Sequence, residues 1–210
     1  MVRRLTPVAE TGMTKEQVKA LNDEDPVVRK DAVLMLGRMG LEANDAVPAL
    51  VAALQDDQDP DVRMTVAWTL CRIGEPDAVP ALAAALKDRH NDVRAQSALS
   101  LGVMGPAAQA AVPALAAALR DDEDAMVREN AARALGNIGR IGFGTQETVP
   151  ALSMALTDPD DGVRMVAAKA LGVMGPAAQD AVPALVAALR DPGPDVRYEA
   201  AEALAAIRGS

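Results

Sequence analysis

Apolar positions along the chain fall into two short runs that alternate and recur. One reads Val-Pro-Ala-Leu-x-x-Ala-Leu, with its proline at Pro48, Pro80, Pro113, Pro150 and Pro183, spaced 32, 33, 37 and 33 residues apart. The other opens at Val-Arg, with the arginine at Arg29, Arg63, Arg94, Arg128, Arg164 and Arg197. It closes on Leu-Gly-x-(Ile/Met)-Gly or a close variant, as in Leu36-Gly37-Arg38-Met39-Gly40 and Leu135-Gly136-Asn137-Ile138-Gly139. Apolar residues at three- and four-residue spacing predict an amphipathic helix for each run. Proline suits the first turn of the first helix, where its missing N–H has no intrahelical partner to lose. Between the runs lies an Asp-rich segment beginning Leu-x-Asp, which predicts a turn whose carboxylates cap the second helix and favour its positive end. The second helix is expected to begin at Val-Arg and to end on its final glycine in the left-handed conformation.

Six units of roughly 33 residues then account for nearly the whole chain, at about 13–42, 43–74, 75–105, 106–141, 142–175 and 176–208. They form a single repeat domain over residues 13–210, preceded by a flexible or capping segment, 1–12. Thr14-Lys15-Glu16-Gln17 has capping-box spacing, so the first helix of unit one is predicted to start there, and its polar character suits an exposed end. One helix pair cannot bury its apolar face, whereas stacked neighbours can. The predicted fold is all-α, a right-handed α-solenoid of about six helix pairs with no strand. Two departures stand out. The long 37-residue spacing places surplus residues at Gly139–Gly144, an expected inter-repeat loop tucking Phe143 onto the core. Residues 101–120 and 171–190 agree at 18 of 20 positions, as recent duplication or consensus design would leave them.

Composition narrows the chemistry. Aromatics make up 1% of the 210 residues, with one Trp, one Tyr and one Phe, so the core must be aliphatic and thin. A net charge of −9 is the wrong sign for attraction to phosphate backbones, so no nucleic-acid partner is expected. One Cys and one His allow neither an intrachain disulfide nor a Cys/His zinc site. Acidic residues or Arg punctuate every aliphatic segment and the N-terminus lacks an apolar signal region, so no membrane association and a cytoplasmic location are expected.

The unit resembles the HEAT-like repeats named after phycobilisome lyases, whose pattern reads D-x-A-V-P-x-L-x-x-A-L-x-D…V-R-x-x-A-A-x-A-L-G-x-I-G. Asp180–Leu189 and Val196–Ile207 follow it closely, and the resemblance spans about 13–208. It implies a superhelix whose second helices line the concave face. It also implies a structural ladder between repeats, carried by Asp56, Asp88, Asp121, Asp158 and Asp191 with Arg63, Arg94, Arg128, Arg164 and Arg197. Relatives of this type serve as scaffolds, enzyme-associated regulators, chromophore lyases and engineered frameworks, so fold does not fix function.

Aligning the second helices on the Val of Val-Arg separates core from surface. Offsets 0, 4, 7, 8 and 11 cluster within about 100° as a core face, and offsets 2, 3, 6 and 10 lie opposite. The opposite columns vary along the chain. Leu34, Met64, Trp68, Leu99 and Val103 would make one apolar strip flanked by Arg38 and Arg72, followed by Arg133 and Lys169, then Glu199 and Glu202. A contiguous apolar patch with Trp and Arg is the usual chemistry of an interaction site; the competing expectation is burial against adjacent helices. His90 reads as a solvated turn residue and Cys71 as a small buried side chain where other units have Gly. The acidic turns lack calcium-loop spacing, and no catalytic constellation is possible beyond what one His permits. The expected function is a non-catalytic protein-interaction scaffold binding a protein or peptide through the concave face. The chain is read as no enzyme, with no cofactor and no metal, and the apolar strip would also permit self-association. Two alternatives stand beside this: a chromophore-lyase or cofactor-handling subunit, by resemblance, and a structural or engineered scaffold with no selected partner.

Overall fold

The structure, a computed structural model, describes residues 7–140 and 145–209, and side chains within 14–140 and 146–209. The expected packing of Phe143 lies outside the described residues. The helices are α1 (Pro7–Ala20), α2 (Pro26–Met39), α3 (Val47–Asp56), α4 (Pro60–Ile73), α5 (Val79–Ala85) and α6 (Asn91–Met104). They continue as α7 (Val112–Asp121), α8 (Ala125–Gly139), α9 (Thr145–Ala155), α10 (Asp161–Met174), α11 (Val182–Ala188) and α12 (Pro194–Arg208). Short 3-10 segments at Gly40–Ala46, Pro76–Ala78, Gly105–Ala111 and Gly175–Ala181 join most pairs, and the described residues contain no strand.

Each even-numbered helix starts two residues ahead of its Val-Arg, not at it. The reason is the cap: the carboxylates of Asp25, Asp59, Asp124 and Asp160 accept backbone N–H groups of the first turn, which fixes the start there. α6 and α12 follow His90 and Gly193 without a side-chain cap. Three further expectations are corrected. α1 already runs through Pro7–Ala20, so Thr14 is a buried residue inside the helix and not at its N-cap, and the expected capping box does not form there. In unit five the helix already includes Thr145, so Pro150 lies inside α9 and not in its first turn. Of the closing glycines, Gly74 and Gly209 are left-handed, whereas Gly105 takes φ 57 and ψ −131, a conformation open to glycine that starts a 3-10 segment.

The core is a single stack of aliphatic side chains, including the fully buried Leu36, Leu50, Leu70, Leu101, Leu135 and Leu171. Even-numbered helices pack directly on one another from α2 to α12, while odd-numbered ones touch their successors far less. The even layer is therefore the tighter, inner side of the curve. Its spacing depends on small residues: a Cβ at Gly102 would stand 2.9 Å from the Ala134 Cα, and one at Gly136 2.7 Å from the Ala170 Cβ. Two helical stretches, 91–121 and 161–188, are long and apolar enough to cross a membrane by length and composition. Each is broken by a 3-10 segment, and both contribute to the stacked core.

Candidate partner-binding face

The inner face is held in register by a ladder of guanidinium–carboxylate pairs. Arg63 shows the unit of construction. Its Nη1 donates to the carbonyls of Asp57 and Gln58 in its own turn, at 2.7 and 3.2 Å. Its Nε and Nη2 donate to both carboxylate oxygens of Asp88 in the next turn, each at 2.8 Å. Asp88 is pre-set in turn by the His90 N–H at 2.8 Å. The same arrangement joins Arg29 to Asp57, Arg94 to Asp122, Arg128 to Asp158 and Arg164 to Asp191, at 2.7–2.8 Å from Nε. Two parallel charge-assisted bonds make this geometry strong and direction-specific.

The ladder implied by the family resemblance is corrected at four places. Asp57 replaces Asp56, and Asp122 replaces Asp121, which pairs with its own neighbour Arg120 on the surface. Arg29 makes a rung, and Arg197 meets no carboxylate among the described residues. The physical reason is a register shift: α3 and α7 run on through Asp56 and Asp121, so the rung carboxylate is one residue later. Counting back six residues from each arginine would have found the set, since Asp23, Asp57, Asp88, Asp122, Asp158 and Asp191 all stand there.

Burial raises the proton affinity of the Asp57 and Asp88 carboxyls, but the arginine and backbone hydrogen bonds outweigh it and hold both below the ordinary carboxylate value. Asp191 is held low by Arg164. Burial pushes the Cys71 thiol up, against a hydrogen bond with Ser100, so it is a poor nucleophile.

Along the even-numbered helices, the variable columns reach solvent unevenly. Arg38, Arg72 and Arg133 are exposed, and Val103 is 66% exposed. Leu34, Met64, Trp68 and Leu99 are half-buried. The apolar strip is thus less open than a flat patch. The Trp68 ring lies over Gly37 of α2, 3.5 Å from where a Cβ would stand, and Arg72 stacks on the ring, 4.7 Å from its centre. Farther along, a hollow of about 270 Å³ is lined by Arg133, Gly136, Asn137, Met165, Lys169 and Val173. Lys169 approaches Glu199 at 3.8 Å, whereas Arg38, Arg72 and Arg133 have no carboxylate partner among the described residues. A larger furrow of about 760 Å³ lies at Pro106–Pro113 and Gln146–Glu147, outside this column set. His90 sits half-buried beside Asp92, and no group of three or more His, Cys, Asp or Glu converges among the described residues.

HEAT-repeat models match residues 14–102, 47–136, 84–172 and 149–210. The chain belongs to the HEAT-repeat family. Among solved structures, this HEAT-repeat chain is similar to an engineered protein at 25% identity and TM-score 0.63, over 93% of this chain and 96% of that one. It is similar to the complex of CpcE and CpcF of phycocyanin lyase from Nostoc sp. PCC7120 at 26% identity and TM-score 0.63, over 98% and 78%. A designed armadillo repeat protein shares the fold at 21% identity and TM-score 0.61, over 91% and 98%. Among curated protein sequences none matches significantly.

Proposed function

We propose that this HEAT-repeat chain is a non-catalytic scaffold whose inner face receives a segment of a partner protein, centred on Trp68, Arg72, Leu99 and Val103. One observation carries the reading. The columns that the fold needs are nearly constant and buried, while Leu34, Arg38, Met64, Trp68, Arg72, Leu99, Val103 and Arg133 vary in chemistry and reach solvent. Three arginines without a carboxylate partner among the described residues, beside an apolar strip, favour a partner carrying acidic residues next to apolar ones, despite the chain's net charge of −9.

Affinity capture with mass spectrometry tests this, comparing the wild-type chain with Val103→Asp and Arg72→Glu. Both sites are exposed, so stability should stay within about 0.5 kcal/mol. Captured partners should be lost or bound at least about tenfold more weakly; partners retained by both variants would place binding elsewhere. Trp68→Asp is a less clean probe, because the half-buried ring also packs on α2.

A second reading, a subunit handling a chromophore, is favoured by the likeness to the CpcE–CpcF complex. Bilin titration followed by absorbance separates the two: a saturable spectral change supports pigment handling, and a flat titration removes it.

A further inference from the structure

The ladder has two open ends, and they are complementary. At the C-terminal end, Arg197 is posed like the five paired arginines, its Nη1 donating to the carbonyls of Asp191 and Pro192 at 2.8 and 2.9 Å. Its Nε and Nη2 meet no carboxylate among the described residues. The surface around it has an interior pattern. Leu189 is 39% exposed, whereas its counterparts Leu54, Leu86, Leu119 and Leu156 are 2–5% exposed. Val186 and Ala201 are also open there, although the Ala201 equivalents Ala67, Ala98, Ala132 and Ala168 are fully buried. At the N-terminal end, Asp23 accepts the Asp25 N–H at 2.9 Å, in the same turn that pre-sets every rung carboxylate. Arg29 donates to the Asp23 carbonyl at 2.9 Å, as the own-turn arginines of the interior rungs do, but no arginine among the described residues pairs with its carboxylate. Beside it, Val28 is 39% exposed while its five counterparts are at 0–1%.

We propose that a second copy of this chain docks end to end, seating its Asp23 in the open guanidinium fork of Arg197 and covering Leu189 and Val186 with its Val28 edge. Charge, hydrogen-bond geometry and apolar exposure all match the five junctions already made within the chain. One residue sets the strength. Met35 stands in the column where later units have Thr69, Ser100, Ala134, Ala170 and Ala203, so the joint is wider than an interior one and weaker. Because the two surfaces differ, the contact is heterologous: it repeats from copy to copy and yields open chains, with no stop at a dimer. The proposal does not depend on what the inner face binds.

Sedimentation velocity from about 10 μM to about 1 mM covers the range expected of such a joint. The wild-type mass average should climb with concentration without a dimer plateau. Arg197→Asp alone and Asp23→Arg alone should each weaken association at least about tenfold, because each sets like charges face to face. An equal mixture of the two variants should restore it, since the carboxylate introduced at position 197 of one can then receive the guanidinium introduced at position 23 of the other. Unchanged far-UV circular dichroism shows that the variants fold, as both sites lie at the surface. A wild type that stays monomeric throughout overturns the proposal. So does association that survives Arg197→Asp, or a mixture that fails to rescue. Association lost in Trp68→Asp but kept in Arg197→Asp would assign it to the inner face instead.

Discussion

Arg63 carries five hydrogen-bond donors and makes four bonds to known acceptors, with 3% of its side chain exposed. Such a buried pair is costly to break because the remaining charge is stranded. Arg63→Ala or Asp88→Asn is therefore expected to lower unfolding free energy by about 3 kcal/mol, measured by urea denaturation. A pH dependence follows from the depressed Asp57, Asp88 and Asp191. The unfolded carboxyls titrate near about 3.9, so as pH falls the unfolded chain takes up protons first. The stability these rungs supply is complete above that value and is lost as pH drops through the lower folded values. Urea midpoints at about pH 7, 4 and 3 should fall in that order, and less steeply in Asp88→Asn. These residues were only half legible in advance. The arginines are marked by an invariant Val-Arg, but the carboxylates sit in turns of two lengths, and a count from the preceding leucine slips by one residue in units two and four.

At the scale of the helix, small residues govern spacing. Position nine after the Val reads Gly37, Cys71, Gly102, Gly136 and Gly172, and across the joint stand Thr69, Ser100, Ala134, Ala170 and Ala203. Gly→Ala in a helix ordinarily gains about 1 kcal/mol. At Gly136 the new Cβ would meet the Ala170 Cβ at 2.7 Å and its Cα at 2.9 Å, where backbone cannot yield. The sign therefore reverses, and Gly136→Ala should destabilise by about 1–3 kcal/mol, read by chemical denaturation. Helix number, pairing and the aliphatic core were legible because periodicity and proline and glycine punctuation agree. Helix starts were not, because the capping Asp acts three residues ahead of the Val that marks the repeat. Nor was the partial covering of Trp68, which depends on the curvature of a stack and on a glycine in the neighbouring helix, neither visible within one unit.

Across the whole molecule, each unit touches mainly its neighbours, so stability is the sum of units and joints and the ends are weakest. Hydrogen exchange should show the slowest amides in α4 to α10 and the fastest in α1 and the terminal turn of α12, with protection graded inward from both ends. An equal rate throughout would mean the stack unfolds as one body. The uniform rung has a genetic consequence. Residues 101–120 and 171–190 are nearly identical, so an in-frame deletion from one to the other would excise two units and leave the sequence at the join almost unchanged. The shortened chain would still hand Arg94 a carboxylate, that of Asp191, because every joint uses the same lock. An in-frame duplication of the same stretch would lengthen it equally safely. The length of such a protein is thus free to drift under selection, while the identity of each joint is not.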